Sequence, residues 1–124
     1  ETKEQLLGFY LIDCASLDEA ILCTTSPKLF SGEELRAYDR VESVVRLARY
    51  GYDCYAYCML AAGHIDLVIE TELNPHDIIP LIPIIEGAGG RVTTWEGDSA
   101  EAGGRVVVAG DARVHAAALE MLRG

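Results

Sequence analysis

Three carboxylates stand where they could do chemistry: Asp53, Glu70 and Asp77. Glu70 follows an almost unbroken apolar run, Ile65-Asp-Leu-Val-Ile69, which reads as a strand buried on both faces. After a short connection, Asn74-Pro75 opens a helix: asparagine caps free amides, and proline fits the first helical position, where its missing N–H costs nothing. Asp77 falls in the first turn of that helix, which runs apolar to Glu86 and stops at Gly87-Ala-Gly-Gly90. Open α/β sheets keep their ligand crevices at the carboxyl ends of strands. Asp53 opens another helix beside the same presumed crevice, just past a strand that ends at Gly51. A hard cation such as Mg²⁺ needs only one or two protein carboxylates plus substrate oxygens, so Asp77 qualifies as a ligand. It equally suits the helix macrodipole, and Asp53 and Glu70 read equally as solvated ends. Spacing alone does not separate these readings.

Other side chains on the same elements point to structure rather than chemistry. Pro80 and Pro83 remove amides that would bond the carbonyls of His76 and Ile79, which predicts a kinked packing helix. Adjacent residues diverge on a helix, so His76 is expected to pack under the site rather than share an ion with Asp77. Cys54 and Cys58, with His64 nearby, fall short of the four ligands of a structural zinc site and read as core residues. The run Gly87-Ala-Gly-Gly90 precedes a strand, whereas a phosphate-cradling fingerprint follows one and opens a helix.

The elements that must hold these residues alternate. Residues 6–14 are apolar enough for a strand behind a solvated end, and residues 19–25 form a strand broken by Ser26-Pro27. Ser31-Gly-Glu-Glu34 reads as a capping box for a helix whose buried face is Leu35, Tyr38, Val41, Val44 and Val45. A short strand over 45–50, a helix over 53–62, the strand 65–69 and the proline-opened helix follow. Strands at 91–95 and 105–109, joined through a turn at 96–98 and a small-residue loop, lack a helix between them and predict one antiparallel pairing. Asp111 caps a last helix with Val114, Ala117, Ala118, Met121 and Leu122 on one face. This order predicts one α/β domain over residues 1–124, a mixed, mostly parallel sheet with helices on both faces.

Composition bounds the partners. With 124 residues there is room for one core. A net charge of −10 and a pI near 4.6, with no cluster of Lys and Arg, argue against nucleic acid and anionic membranes and favour cations. No apolar run reaches transmembrane length, the first residues do not read as a signal peptide, and four cysteines in apolar surroundings suit the cytoplasm.

Taken together, the motifs resemble a known family. Asn-Pro-His-Asp77 followed by Ile84-Ile-Glu-Gly-Ala-Gly-Gly90 resembles the second signature of the inositol monophosphatase family. Thr24-Thr-Ser-Pro27, Tyr50-Gly-Tyr-Asp-Cys-Tyr-Ala-Tyr57, Ala61-Ala-Gly63, Asp66-Leu-Val-Ile-Glu70 and Val107-Val-Ala-Gly-Asp111 are similar to its histidinol-phosphatase branch. The resemblance covers roughly residue 16 to the end. It implies a Mg²⁺-dependent phosphomonoesterase of layered α/β build, acting on a small phosphate monoester through metal-activated water, with this chain as the C-terminal half. It implies Asp77 as a metal ligand and catalytic residue, Glu70 as holder of the non-phosphate part of the substrate, and Gly51, Tyr52 and Asp53 beside it. Inositol-type relatives carry a small neutral residue where Asp53 stands. A carboxylate there suits the cationic amine of histidinol phosphate.

The chain also departs from the pattern. His76 replaces an aromatic residue, Tyr52 a small one, and Thr71-Glu72 a small pair. The family's first signature, Asp-Pro-Ile/Leu-Asp-Gly-Thr, and the upstream Glu that shares its metals are absent from these residues. The chain alone is therefore expected to be inactive, and to pair with the missing lobe or with a second copy as a homo-oligomer. The rival expectation is a non-catalytic domain that binds a small cation or another protein.

Overall fold

The computed structural model describes residues 16–51 and 55–124. The expected strand at 6–14 lies outside them. Five strands, β1 (Ile21–Thr24), β2 (Leu47–Tyr50), β3 (Leu67–Leu73), β4 (Arg91–Thr94) and β5 (Gly104–Ala109), make one sheet in the order β2-β1-β3-β5-β4. β1 runs parallel to β2 and β3, and β5 runs antiparallel to β3 and β4. The sheet is therefore mixed, with β5 alone reversed. One antiparallel pairing was expected and two are found, because β5 inserts between β3 and β4 instead of folding back as a simple hairpin.

Side chains alternate across the sheet and divide the core in two. Leu22, Leu67, Ile69, Val107 and Ala109 face one side. There they meet Tyr38 and Val41 of α1 (Glu33–Glu42) and Val114, Ala118 and Leu122 of α5 (Ala112–Arg123). Cys23, Val68, Val106 and Val108 face the other side. They meet Leu60 of α2 (Tyr55–Ala61), Ile78 of α3 (Pro75–Ile78) and Ile85 of α4 (Ile82–Gly87). Helices on both faces follow from central strands whose apolar runs, residues 21–23, 67–69 and 106–109, bury side chains on both sides. Each buried Leu, Ile or Val is worth about 1.5–3 kcal/mol against exposure. Among the described residues no helix is long and apolar enough to cross a membrane.

Local chemistry accounts for the element ends. Asp111 caps α5 as expected, its carboxylate accepting from the Arg113 amide at 2.8 Å. The Arg40 guanidinium donates to the carbonyls of Met121 and Leu122 at 2.8 and 2.9 Å, tying α1 to the C-terminus of α5. The capping box at α1 does not form. Gly32 occupies the cap position at φ +57° with no side-chain bond, and Glu34 instead accepts from the Thr71 hydroxyl at 3.1 Å. That threonine, buried on β3, needs an acceptor more than an exposed helix end needs a cap. Val44 lies past the end of α1 and is exposed rather than on its buried face. The proline-opened helix is broken as its prolines require: α3 passes through a 3-10 turn, Ile79–Leu81, into α4.

Candidate functional site

Glu70 was expected to end its strand. Instead β3 continues to Leu73 through a bulge. Glu70 still pairs with Val106, but Leu73 pairs with Gly104, so β3 carries one residue more than its partner over that interval. Glu72 takes up the excess at φ +56°. Glu70 thus keeps full strand support while the chain beyond it turns toward α3. By alternation its side chain belongs to the face of Val68 and α2.

The Glu70 carboxylate is buried, with 5% of the residue exposed, and it is held by β1. Its Oε1 accepts from the Thr25 amide at 2.6 Å and lies 3.1 and 3.3 Å from the hydroxyls of Thr25 and Thr24. Its Oε2 lies 3.0 Å from the Thr25 hydroxyl, whose single proton serves one oxygen at a time. Such charge-assisted bonds are what make a buried carboxylate tenable. The same two threonines accept from the residue after β2: the Gly51 amide donates to Thr25 O at 2.9 Å and to Thr24 O at 3.2 Å. Gly51 sits at φ +88°, a left-handed turn that glycine makes without steric cost. Gly51 and Glu70, singled out on different strands, are therefore brought together at the carboxyl edge of β2-β1-β3. Tyr52 and Asp53 lie outside the described residues, as do Cys14, Cys54 and the side chain of Cys58.

Asp77 stands in the short helix α3, its amide bonded to Asn74 O at 3.0 Å and its side chain 46% exposed. Ile78, fully buried beside it, anchors the turn. Asn74 occupies the cap position but its side chain makes no capping bond. His76 does not pack under the site: its side chain is 81% exposed, with Nε2 at 3.6 Å from Asp77 Oδ1. The reason is the helix itself, four residues long before it tightens into 3-10 geometry, which leaves neighbouring long side chains free to converge in solvent.

Among the described residues no group of three His, Cys, Asp or Glu side chains could hold a metal ion. Asp77, an accessible hard oxygen donor, fits the part of one ligand and does not by itself make a site. A cavity of about 250 Å³ lies on the opposite face, lined by Arg40, Trp95, Glu96, Arg105 and Arg123 among others, and none of Gly51, Glu70 and Asp77 borders it. Residue patterns did not single out Thr24 and Thr25 as partners of Glu70. A threonine pair at the end of a buried strand, with a lone carboxylate ending another, was the available signal.

A five-stranded mixed sheet clad on both faces, with Glu70 and its threonine partners at one edge, defines a layered α/β domain. A profile of the inositol monophosphatase family matches residues 4–123, and the chain belongs to that family. It is similar to the bifunctional phosphatase IMPL2, chloroplastic, of Arabidopsis thaliana, 50% identical over 118 residues that cover 88% of this chain and 34% of the relative. A histidinol-phosphatase of Mycobacterium tuberculosis is 33% identical over 66 residues, 53% of this chain and 25% of that protein. Among solved structures, an inositol monophosphatase from Zymomonas mobilis superposes with a TM-score of 0.88 at 37% identity. That match covers 94% of this chain and 47% of the other. The chain thus spans between a quarter and a half of the proteins it matches here.

Proposed function

We propose that these residues form the C-terminal half of a histidinol-phosphatase-like phosphomonoesterase. Glu70, with Gly51, Tyr52 and Asp53, holds the alcohol part of a small phosphate monoester, and Asp77 gives one carboxylate to Mg²⁺. The observation that carries this reading is the lacing of Glu70 and Gly51 through Thr24 and Thr25 at one sheet edge. It supports the reading because an oriented carboxylate stands at the kind of sheet edge where open α/β sheets keep their ligand crevices. The net charge of −10 and the carboxylate at Asp53 favour a cationic alcohol. The histidinol-phosphatase relative supports the same choice, and the Zymomonas likeness supports an inositol-type substrate as the alternative. Bound Mg²⁺ would supply charge neutralisation and an activated water. The residues of this chain bind and orient the alcohol.

Kinetics on the chain joined to the preceding half of a family phosphatase test this, with the 124 residues alone as an arm expected to release no phosphate above background. A contact between a carboxylate and a cation is a charge-assisted hydrogen bond worth about 1.5–3 kcal/mol. Asp53→Asn should therefore lower kcat/KM for histidinol phosphate roughly ten- to a hundredfold and leave inositol phosphate little changed. Asp77→Asn should depress turnover of both. Equal losses on both substrates in Asp53→Asn would reduce Asp53 to a helix cap.

Association belongs to the same reading. Leu47 and Tyr50 on the edge strand β2 are 42% and 48% exposed, with Val44 beside them in sequence, and Ile79 and Ile84 are exposed between and on α3 and α4. We infer that another lobe or a second copy covers these surfaces. Light scattering on the chain alone should show a dimer or larger species at micromolar concentration, and a monomer at every concentration would contradict it.

A further inference from the structure

We propose that Thr25 is a positioning residue that sets Glu70 and Gly51 as one unit. This rests on the substrate-holding reading of Glu70 but adds a component that the reading does not contain. Thr25 touches both sides of the site. Its amide donates to Glu70 Oε1 at 2.6 Å and its hydroxyl reaches both carboxylate oxygens at 3.0 and 3.1 Å. Its carbonyl receives the Gly51 amide at 2.9 Å. The ends of β1 and β2 and the middle of β3 therefore meet on a single residue. Two points of attachment, amide and hydroxyl, fix a carboxylate against rotation where one would leave it free to turn. The peptide that grips Glu70 lies next along the chain to the carbonyl that grips Gly51, so a displacement of either is passed to the other through rigid backbone.

The arrangement also explains why the position takes threonine. Valine has the same shape and keeps the amide, but lacks the hydroxyl that gives the second attachment. Serine keeps both. A residue that merely stabilised the strand end would be served equally by valine, since β-branched residues favour strands.

The test uses the 124-residue chain and nuclear magnetic resonance. In the unmodified chain a through-hydrogen-bond coupling should join the Thr25 amide nitrogen to the Glu70 carboxyl carbon. Glu70→Gln should shift the Gly51 amide resonance as well as that of Thr25, although Gly51 bonds to threonine carbonyls and not to Glu70. Thr25→Val should displace the Glu70 carboxyl signal and the Gly51 amide, and Thr25→Ser should restore both. With histidinol as the probe, Thr25→Val should weaken binding about five- to tenfold and Thr25→Ser less than twofold, less than the loss of a direct contact to a charged group because Thr25 acts through Glu70. Unchanged Glu70 and Gly51 signals in Thr25→Val, with or without a lower melting temperature, would overturn the proposal. If histidinol fails to bind the unmodified chain while the coupling and the paired shifts are present, the substrate reading falls and the positioning role stands. If histidinol binds and the paired shifts are absent, the outcome is the reverse.

Discussion

Glu72 holds a backbone conformation, φ +56°, that side chains with a Cβ adopt only at a cost of roughly 1–2 kcal/mol. The bulge that sets Glu70 in register demands it, since the extra residue of β3 must turn the chain toward Asn74. Glu72 is exposed, so its side chain gives little back through packing. Replacing it by glycine relieves the strain and loosens the unfolded chain by a similar amount. Urea denaturation of Glu72→Gly should therefore show no loss of stability, while Glu72→Val, stiffer at χ1, should lose about 1 kcal/mol. A valine variant as stable as the parent would show that the bulge can relax into ordinary geometry. At this scale the sequence was informative about identity and silent about partners. A carboxylate after an apolar run is visible in one dimension, and it marked Glu70. The threonines that hold it lie about 45 positions away, and that separation carries no periodic signal. His76 illustrates the converse error. Divergence of neighbours is a rule for regular helices, and α3 is too short to obey it.

Elements were legible where burial is continuous and obscure where the chain meets itself. The apolar runs of β3 and β5, alternating between two cores, marked both strands to within a few residues. Whether β5 would lie beside β4 alone or between β3 and β4 depends on long-range pairing. Composition says nothing of that. Gly103 shows what makes the insertion possible. It leads into β5 where that strand crosses the end of β3, and a Cβ there would stand 2.2 Å from the Leu73 carbonyl and 3.0 Å from the Pro75 nitrogen. Both are backbone atoms at the bulge and at the start of α3, so neither can swing aside. The next residue, Gly104, also has positive φ, at +82°, but open space around it. Gly103→Ala should consequently cost on the order of 3–4 kcal/mol, steric crowding added to conformational strain. Gly104→Ala should cost only about 1–2 kcal/mol, the strain alone. Thermal denaturation of the two variants side by side measures the difference. Equal losses would mean that the crossing yields and that the seat of α3 and Asp77 is soft.

At the scale of the whole molecule, a polar contact that ties the last helix to the sheet titrates. His115 on α5 is buried against the sheet, its Nε2 2.7 Å from the Thr93 hydroxyl on β4. That hydroxyl also lies 2.8 Å from Thr94 O, to which it can donate, and then Nε2 must carry the proton given to Thr93. Burial, with the Arg91 charge adding to it, holds the imidazole below the ordinary histidine range. The unfolded chain, where histidine titrates near its ordinary value of about 6.5, therefore binds a proton that the folded chain resists. Stability from this source is fully present above that ordinary value and is lost as pH falls through the depressed one. Acidification also discharges carboxylates, and in a chain of net charge −10 that relieves repulsion, so the raw pH profile mixes opposing effects. Asp66 adds to the opposition at lower pH. Burial raises its carboxyl against the Ile21 amide bond and Arg46, and a raised carboxyl makes the folded state the better proton binder. The comparison that isolates His115 is with His115→Gln, which can still donate to Thr93 and has no charge to gain. Between pH 8 and pH 5 the melting temperature of the parent should fall relative to that of the glutamine variant, with most of the divergence below pH 6.5. Parallel profiles would show that α5 lifts from the sheet readily enough for water to reach the ring, and the clamp between the last helix and β4 would then contribute little to holding the fold.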